Sequence, residues 1–164
     1  GITVKVSEIH GMAQRGGAVT TVVRFGEEVC SMVADLGSAD CVVSFETTEA
    51  LRNLPYLKEG GYLLVADETI KPLPVQTGRA SMPADARGQL RDLGATLIAA
   101  GSLALEIGSP KSVNVVLLGA LSTRLDFPEE AWESVIRARV PQKTVDANLK
   151  AFHAGRSFAE TAAK

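Results

Sequence analysis

The chain has 164 residues, of which 46% are hydrophobic and 22% are charged, and its formal net charge is −2. This size and composition are typical of one packed domain, so we expect residues 1–164 to form a single domain. Acidic and basic residues are nearly balanced and no lysine or arginine run occurs, which excludes the basic surface of a nucleic-acid-binding protein. No apolar stretch approaches the roughly 20 residues of a membrane-spanning helix. We therefore predict neither a nucleic-acid partner nor a membrane partner.

The beginning of the chain carries the period-two alternation of β-strands. Residues 3–6 alternate as a short strand, and a second strand is predicted over residues 18–25. Residues 26–28 are typical of a turn, and residues 29–33 form another apolar run. We expect the second strand to form a hairpin with this run.

A βαβ unit is predicted next. Residues 41–45 and 62–66 are continuous apolar runs, which are typical of strands covered on both faces in a parallel sheet. Thr47 or Thr48 is the predicted N-cap of the helix between them. Carboxylates lie near the ends of both strands, at residues 46–49 and 67–68, and we expect them to cap helices.

The rest of the chain continues the alternation and ends in helices. Residues 71–83 are rich in proline and are predicted to have little regular structure, whereas residues 84–93 form a helix that stops at Gly94. Residues 96–99 are a short buried strand.

The last third of the chain is predicted to be helical. Asp126 is the candidate cap of one helix. Val145, Leu149 and Phe152 line one face of the last helix, which we expect to end at Gly155. The predicted fold class is α/β: a single doubly wound, Rossmann-like three-layer domain with a β-hairpin excursion and a helical C-terminus.

The two cysteines do not suggest a metal centre. Cys30 and Cys41 lie in apolar runs and are predicted to be small buried side chains in a reducing compartment, which favours a cytoplasmic protein. An iron–sulfur cluster normally needs four thiolates, and a structural zinc site needs four closely spaced ligands. We therefore expect the chain to hold no metal or cluster unaided.

A polar, glycine-rich turn is the first candidate site. Glycines give it backbone freedom while its side chains supply hydrogen-bond donors, which a loop serving only solubility does not need. Arg15 suits a phosphate or carboxylate, because its guanidinium is a planar fork of donors. The candidate residues are His10, Gly11, Met12, Gln14, Arg15, Gly16 and Gly17.

The residues alone leave the role of this turn open. The alternative is a solvent-facing loop at the end of a strand, and a lone histidine such as His10 is more often structural than a general acid or base. A strand rather than a helix follows Gly17, which argues against a dinucleotide site. We therefore assign no catalytic residue.

A second candidate site lies before the apolar run of residues 115–118. Ser112 and Asn114 are predicted to satisfy the N-terminus of a helix. If that terminus points into a crevice, it favours an anion, so these residues are the candidate anion or CoA side of the domain.

Several sequence blocks resemble one known family. The most specific block reads Val-Ser-Glu-Ile-His-Gly-Met-Ala-Gln-Arg-Gly-Gly over residues 6–17. In order along the chain, the other blocks are residues 23–26, 39–40, 44–46, 51–56, 114–121 and 148–152, followed by Gly155. Together they resemble the gamma-type subunit or domain of 2-oxoacid:ferredoxin oxidoreductases, and within that family the small (beta) subunit of the indolepyruvate branch.

The resemblance implies a multisubunit enzyme that decarboxylates an arylpyruvate to an acyl-CoA and passes electrons to ferredoxin. A larger partner subunit would carry thiamine diphosphate, Mg²⁺ and [4Fe–4S] clusters, CoA would be the co-substrate, and this chain would hold no cofactor alone and be inactive alone. The turn over residues 12–17 would face the partner, and a homodimer of heterodimers is one arrangement the family allows. Family members begin with a glycine-rich strand–turn–helix, so we expect the N-terminal βα unit to be missing before Gly1.

Two other functions remain open from the sequence. The chain could be a free-standing Rossmann-like module that binds a nucleotide or CoA. It could also be the equivalent subunit of a pyruvate, 2-oxoglutarate or branched-chain 2-oxoacid enzyme.

Overall fold

A computed structural model describes residues 1–10 and 18–162 of the chain. Single 3-10 turns occupy Leu54–Tyr56 and Gln142–Thr144. The strands are β1 (Thr3–His10), β2 (Val19–Gly26), β3 (Ala39–Ser44), β4 (Leu57–Ala66) and β5 (Thr96–Ile98). The helices are α1 (Thr47–Asn53), α2 (Leu73–Gln76), α3 (Ala86–Asp92), α4 (Ala100–Glu106), α5 (Val113–Ser122), α6 (Glu129–Arg139) and α7 (Val145–Ala162).

The predicted βαβ unit is confirmed. Strands β3, β4 and β5 form a parallel sheet in that order, with Val42 opposite Leu63 and Leu64 opposite Thr96. Strand β4 begins earlier than its apolar run, at Leu57, because an irregularity in the β3–β4 register allows the strand to pair before that run. Gly60, with a φ of 72°, lies in the irregular stretch and adopts a backbone conformation that glycine favours.

Helices cover both faces of this sheet, as predicted for a three-layer domain. Successive side chains of a strand point to opposite faces. Leu63 and Val65 of β4 therefore join the apolar cluster under α1 and α3, whereas Leu64 and Ala66 join the larger cluster under α4, α5 and α7. The helices that cover the Leu64 face of the sheet thus lie in the C-terminal part of the chain, which hydrophobic periodicity predicts to be helical.

Two glycines allow α5 and α7 to pack with their backbones in contact. A Cβ atom on Gly119 would lie 2.0 Å from the carbonyl oxygen of Phe152, and one on Gly155 would lie 1.9 Å from that of Val116. The prediction that Gly155 ends the last helix is wrong, because α7 continues to Ala162. This glycine serves close helix packing, which offsets its low helix propensity.

The hairpin pairs different strands from those predicted. Strand β2 pairs antiparallel with β1 along its whole length, and residues 29–33 form no strand. These residues lie beside the hairpin, where Lys5 Nζ donates to the carbonyl of Cys30 at 3.4 Å and Arg24 Nη1 donates to that of Val33 at 2.8 Å. The carbonyls of Cys30 and Val33 therefore accept hydrogen bonds from side chains rather than from the backbone of a neighbouring strand. Cys30 is exposed, contrary to prediction, whereas Cys41 is half-buried in β3.

Smaller differences concern helix ends. The proline-rich segment contains the one-turn helix α2, and α6 begins after Pro128, so Asp126 is not its cap. The helix α3 ends before Gly94, as predicted, with that glycine at a φ of 73°. Within the described residues, no helix is both long enough and apolar enough to cross a membrane.

The contact between α5 and α7 predicts the effect of adding a single methyl group. Gly119→Ala and Gly155→Ala should each lower the free energy of unfolding by about 1–3 kcal/mol or more, because the new Cβ atom forces the two backbones apart. For a domain of this size, the corresponding fall in Tm is several degrees, measurable by thermal unfolding.

The matched control for this prediction is Gly26→Ala. A Cβ atom there meets nothing closer than 3.9 Å, so the substitution should change stability by no more than about 0.5 kcal/mol. If Gly155→Ala unfolds at the same temperature as Gly26→Ala, close backbone packing is not what holds α7.

Candidate functional site

Ligands of open α/β domains usually bind at the carboxyl ends of the parallel strands. In this domain, the first acidic residue after β3 caps the helix α1. The carboxylate of Glu46 accepts hydrogen bonds from the backbone N–H groups of Thr48, at 2.9 Å, and of Glu49. The predicted caps Thr47 and Thr48 are therefore wrong by one or two residues. The expected capping by carboxylates is confirmed for Glu46 but is wrong for residues 67–68, because the side-chain cap of α3 is Asp85 and no side chain caps α4. Glu46 caps because it precedes the first turn and its backbone is extended, as an N-cap requires.

Other acidic residues at this edge are also held within the domain. Asp67 pairs with Arg87 of α3, and its hydrogen bond and charge raise the pKa of that guanidinium. The carboxylate of Glu68 lies over α4, since a Cβ atom on Gly101 would be 2.5 Å from its Oε1. The backbone carbonyl of Glu68 accepts from the N–H of Thr47 at 2.9 Å. The carboxylates of Glu46 and Asp67 thus connect the strand ends to α1 and α3.

The second candidate site lies in a surface pocket at the N-terminus of α5. Ser112 occupies the N-cap position but does not cap with its side chain, contrary to prediction. Its buried hydroxyl lies 2.7 Å from the hydroxyl of Ser109 and donates to Asn148 Oδ1 at 3.4 Å. Asn114 lies in the first turn of α5 and is exposed.

The pocket joins residues from three parts of the chain. Its lining consists of Gly108, Ser109, Pro110, Lys111, Ser112, Pro141, Thr144 and Asn148. Lys111 is exposed at the pocket, and the first N–H groups of a helix have no partner within that helix. A cation and free N–H groups beside neutral hydroxyl and amide groups suit an anionic ligand.

Sequence reasoning found Ser112 but not Lys111, Thr144 or Asn148 as members of this pocket. Asn148 does belong to a sequence block that resembles the family, yet nothing in its spacing indicated that it would meet Ser112. They meet because α7 packs along α5.

The first candidate site lies largely outside the described residues. His10 is the last residue of β1, where it is exposed and lies opposite Val19 of β2. Gly11, Met12, Gln14, Arg15, Gly16 and Gly17 lie outside the residues that the structure describes. His10 is not among the residues that line the pocket at α5.

The hairpin displays an apolar face that sequence reasoning missed. Side chains alternate along β1 and β2, and the register places five apolar side chains on the same face, beside Glu8, His10 and Thr21. The members of this face are Val4, Val6, Val19, Val23 and Phe25, each between 44% and 59% exposed. The ring of Phe25 lies 5.8 Å from that of Phe127, which in turn contacts Trp132 of α6. Strand alternation indicated this face, but the sequence did not show that it is exposed.

Comparisons with known proteins agree with this fold. A family model described as "Pyruvate ferredoxin/flavodoxin oxidoreductase" matches residues 1–158. The chain is 44% identical over 162 residues to "Indolepyruvate oxidoreductase subunit IorB" of Thermococcus kodakarensis, which covers 94% of this chain and 80% of that protein.

Two solved structures share the fold. The gamma subunit of a keto/oxoacid ferredoxin oxidoreductase from Geobacter sulfurreducens matches with a TM-score of 0.66 and 22% identity, over 98% of this chain and 82% of that one. A 2-oxoglutarate:ferredoxin oxidoreductase from Magnetococcus marinus, with 2-oxoglutarate, coenzyme A and succinyl-CoA bound, matches with a TM-score of 0.65 and 22% identity, over 98% of this chain and 26% of that one. The α/β fold, the family match along nearly the whole sequence and the 44% identical relative lead to one assignment: the chain belongs to the pyruvate ferredoxin/flavodoxin oxidoreductase family.

Proposed function

We propose that the chain is the subunit without clusters of an indolepyruvate-type 2-oxoacid:ferredoxin oxidoreductase. The observation that carries this proposal is the 44% identity to a relative named as an indolepyruvate oxidoreductase subunit. In the proposed reaction the 2-oxoacid loses its carboxylate as CO₂, its acyl group passes to the sulfur of CoA, and two electrons reduce ferredoxin. Thiamine diphosphate with Mg²⁺, bound by the larger partner subunit, supplies the decarboxylation chemistry.

The residues of this chain do not fit an iron–sulfur cluster. The sequence has two cysteines where a cluster normally needs four thiolates. Burial, and then the charge of Asp40, raises the pKa of the Cys41 thiol, which makes it a poor source of thiolate. We therefore place the [4Fe–4S] clusters in the partner subunit and keep this chain accessory to the chemistry.

The exposed apolar face of the hairpin supports a chain that works beside other polypeptides. An apolar sheet face in water is unfavourable, and a two-stranded hairpin is only marginally stable by itself. The Magnetococcus protein also contains the fold as about a quarter of a longer chain. These observations favour a subunit of an assembly over a free-standing binding module. A cytoplasmic location, and a homodimer of heterodimers, remain part of this proposal.

Reconstitution tests the proposed function. The chain alone should show no turnover, and adding the larger subunit should restore CoA-dependent reduction of ferredoxin or a viologen dye by a 2-oxoacid. Indolepyruvate should be used faster than pyruvate or 2-oxoglutarate. Turnover by the chain alone, or full activity of the larger subunit without it, would overturn the subunit role, whereas a preference for pyruvate would overturn only the substrate.

We further propose that the turn over residues 12–17 faces the partner and its reaction site. Arg15→Ala should reduce kcat/KM of the assembled enzyme by about 10- to 100-fold, because a lost charge-assisted contact is worth about 1.5–3 kcal/mol. The Tm of the subunit should barely change, since such polar positions contribute within about 0.5 kcal/mol to folding. Arg15→Lys should restore only part of the rate if the contact uses the planar fork.

The control for Arg15 is Arg91→Ala, which removes an exposed arginine of α3. Its turnover and its co-purification with the larger subunit should match those of the parent. Normal turnover by Arg15→Ala would show that the turn is only a structural loop.

The pocket at the N-terminus of α5, which Ser112 lines, is our proposed CoA side of the domain; Asn114 lies beside it in the first turn of α5 but is not among its lining residues. Lys111 is the charged side chain that lines it, and CoA carries phosphates. Lys111→Ala should raise the KM for CoA several-fold while the KM for the 2-oxoacid stays constant. Lys58→Ala removes an exposed lysine of β4 that does not line the pocket and should leave both constants unchanged. Equal effects of the two variants would contradict a CoA role.

A further inference from the structure

The β1–β2 hairpin has few attachments to the rest of the domain. Its two strands pair with each other along their whole length, and neither packs extensively against another strand or helix. Among the described residues, side-chain hydrogen bonds from the hairpin reach only the segment that follows it, at Glu27, Cys30 and Val33. A two-stranded hairpin is only marginally stable by itself, so its orientation depends on its other contacts.

A series of aromatic rings joins the hairpin to the helical layer. The ring of Phe25 in β2 lies 5.8 Å from the ring of Phe127, which lies between α5 and α6. Phe127 meets the ring of Trp132 edge to face at 5.9 Å, and Trp132 stacks on Phe152 at 6.4 Å. These separations are typical of favourable aromatic pairs. Because Phe152 is completely buried, the four rings lead from the hairpin to the apolar core.

The place where the hairpin meets the helices is itself firmly held. Pro128 follows Phe127 and restricts the backbone of that residue. The helix α6 begins directly afterwards, and its first residue is tied to α7. Oε2 of Glu129 pairs with Arg156 Nε at 3.2 Å, and its Oε1 lies 3.1 Å from Nδ1 of His153. Phe127 therefore presents a fixed ring to the hairpin.

The far end of the hairpin carries the first candidate site. Phe25 lies opposite Val4 near one end of the hairpin, whereas His10 lies opposite Val19 at the other end, where residues 11–18 connect the two strands. Six residues of a strand span about 20 Å. A tilt of about 10° at Phe25 would therefore move the far end by about 3 Å. A misplacement of about 1 Å can cost about a hundredfold in rate.

We propose that Phe127 is a positioning residue for the turn over residues 12–17. By holding Phe25, it fixes the orientation of the hairpin and therefore the place of Arg15 in the assembled enzyme. This inference rests on the proposed function, in which the turn faces the partner's reaction site. Sequence analysis did not indicate the contact, because Phe25 and Phe127 lie far apart in the chain.

Hydrogen exchange of the full chain tests the contact. Phe127→Ala should speed the exchange of the β1 and β2 amides at least tenfold, because a released hairpin opens more often, while the amides of β4 and α7 exchange as in the parent. Phe25→Ala should have the same effect, and the double variant should have no larger one, since both substitutions remove one contact. Unchanged exchange in the hairpin, or equal acceleration throughout the domain, would overturn the proposal.

Three variants serve as controls for this measurement. Leu93→Ala removes a half-exposed apolar side chain at the end of α3 and should leave exchange in the hairpin unchanged. Phe127→Tyr keeps the ring and should behave as the parent does. If Phe127→Ala does not fold, Phe25→Ala decides, because that substitution lies on the partly exposed hairpin and outside the core.

Turnover of the chain assembled with the larger subunit tests the consequence. Phe127→Ala should lower kcat/KM for the 2-oxoacid at least tenfold, whereas Leu93→Ala and Phe127→Tyr should match the parent. In an Arg15→Ala background, Phe127→Ala should cost less than twofold more, because the side chain that it positions is absent. A tenfold further loss there, or normal turnover by Phe127→Ala, would contradict a positioning role.

The two measurements separate this inference from the proposed function. An assembled parent without 2-oxoacid turnover would overturn the proposed function and with it the role of the turn. Hydrogen exchange decides independently of that result whether Phe127 holds the hairpin.

Discussion

The backbone contact between α5 and α7 is the constraint on which the rest of the domain depends. Most of α5 is buried, including Val116 and Leu117, because the helix lies between the sheet and α7. Such a position requires α7 to approach closely, and Gly119 and Gly155 remove the two side-chain atoms that would prevent it. The contact buries Phe152 completely and closes the larger apolar cluster over β4. Without it, the helical layer would not cover this face of the sheet.

The packing of α7 against α5 also brings polar groups together at two places away from the carboxyl end of the sheet. Near the start of α5, Ser112 contacts Asn148 of α7, and at its end Ser122 contacts Arg156, which lies further along α7. The two helices therefore run in the same general direction. At one end, the N-terminus of α5 meets α7 and forms the pocket that we propose for CoA. At the other end, Arg156 is placed where it can reach Glu129 of α6. A helix contact that stabilises the core therefore also determines where charged and polar groups converge.

At the carboxyl end of the sheet, by contrast, the polar groups maintain the fold. Glu46 caps α1, and Asp67 pairs with Arg87. After β4, the backbone carbonyl of Glu68 accepts a hydrogen bond from the N–H of Thr47. A carboxylate that accepts backbone N–H groups is held as a structural acceptor. This arrangement is in keeping with the role that we propose for the chain, a subunit accessory to the chemistry. The family assignment and the exposed apolar face of the hairpin are consistent with the same view.

The sequence by itself determined the elements whose signals are local. Apolar runs predicted β3, β4 and β5, Gly94 predicted the end of α3, and residues 6–17 indicated the family. Hydrophobic periodicity and glycine conformation act over a few residues, so a single segment contains the whole signal. The tertiary structure decided everything that depends on distant partners: that β2 pairs with β1 and not with residues 29–33, that Gly155 lies within α7, and that Ser112 meets Asn148. It also brought His153 between two glutamates of another helix. Such contacts join residues far apart in the chain, and only packing in three dimensions selects among the partners that the local patterns allow.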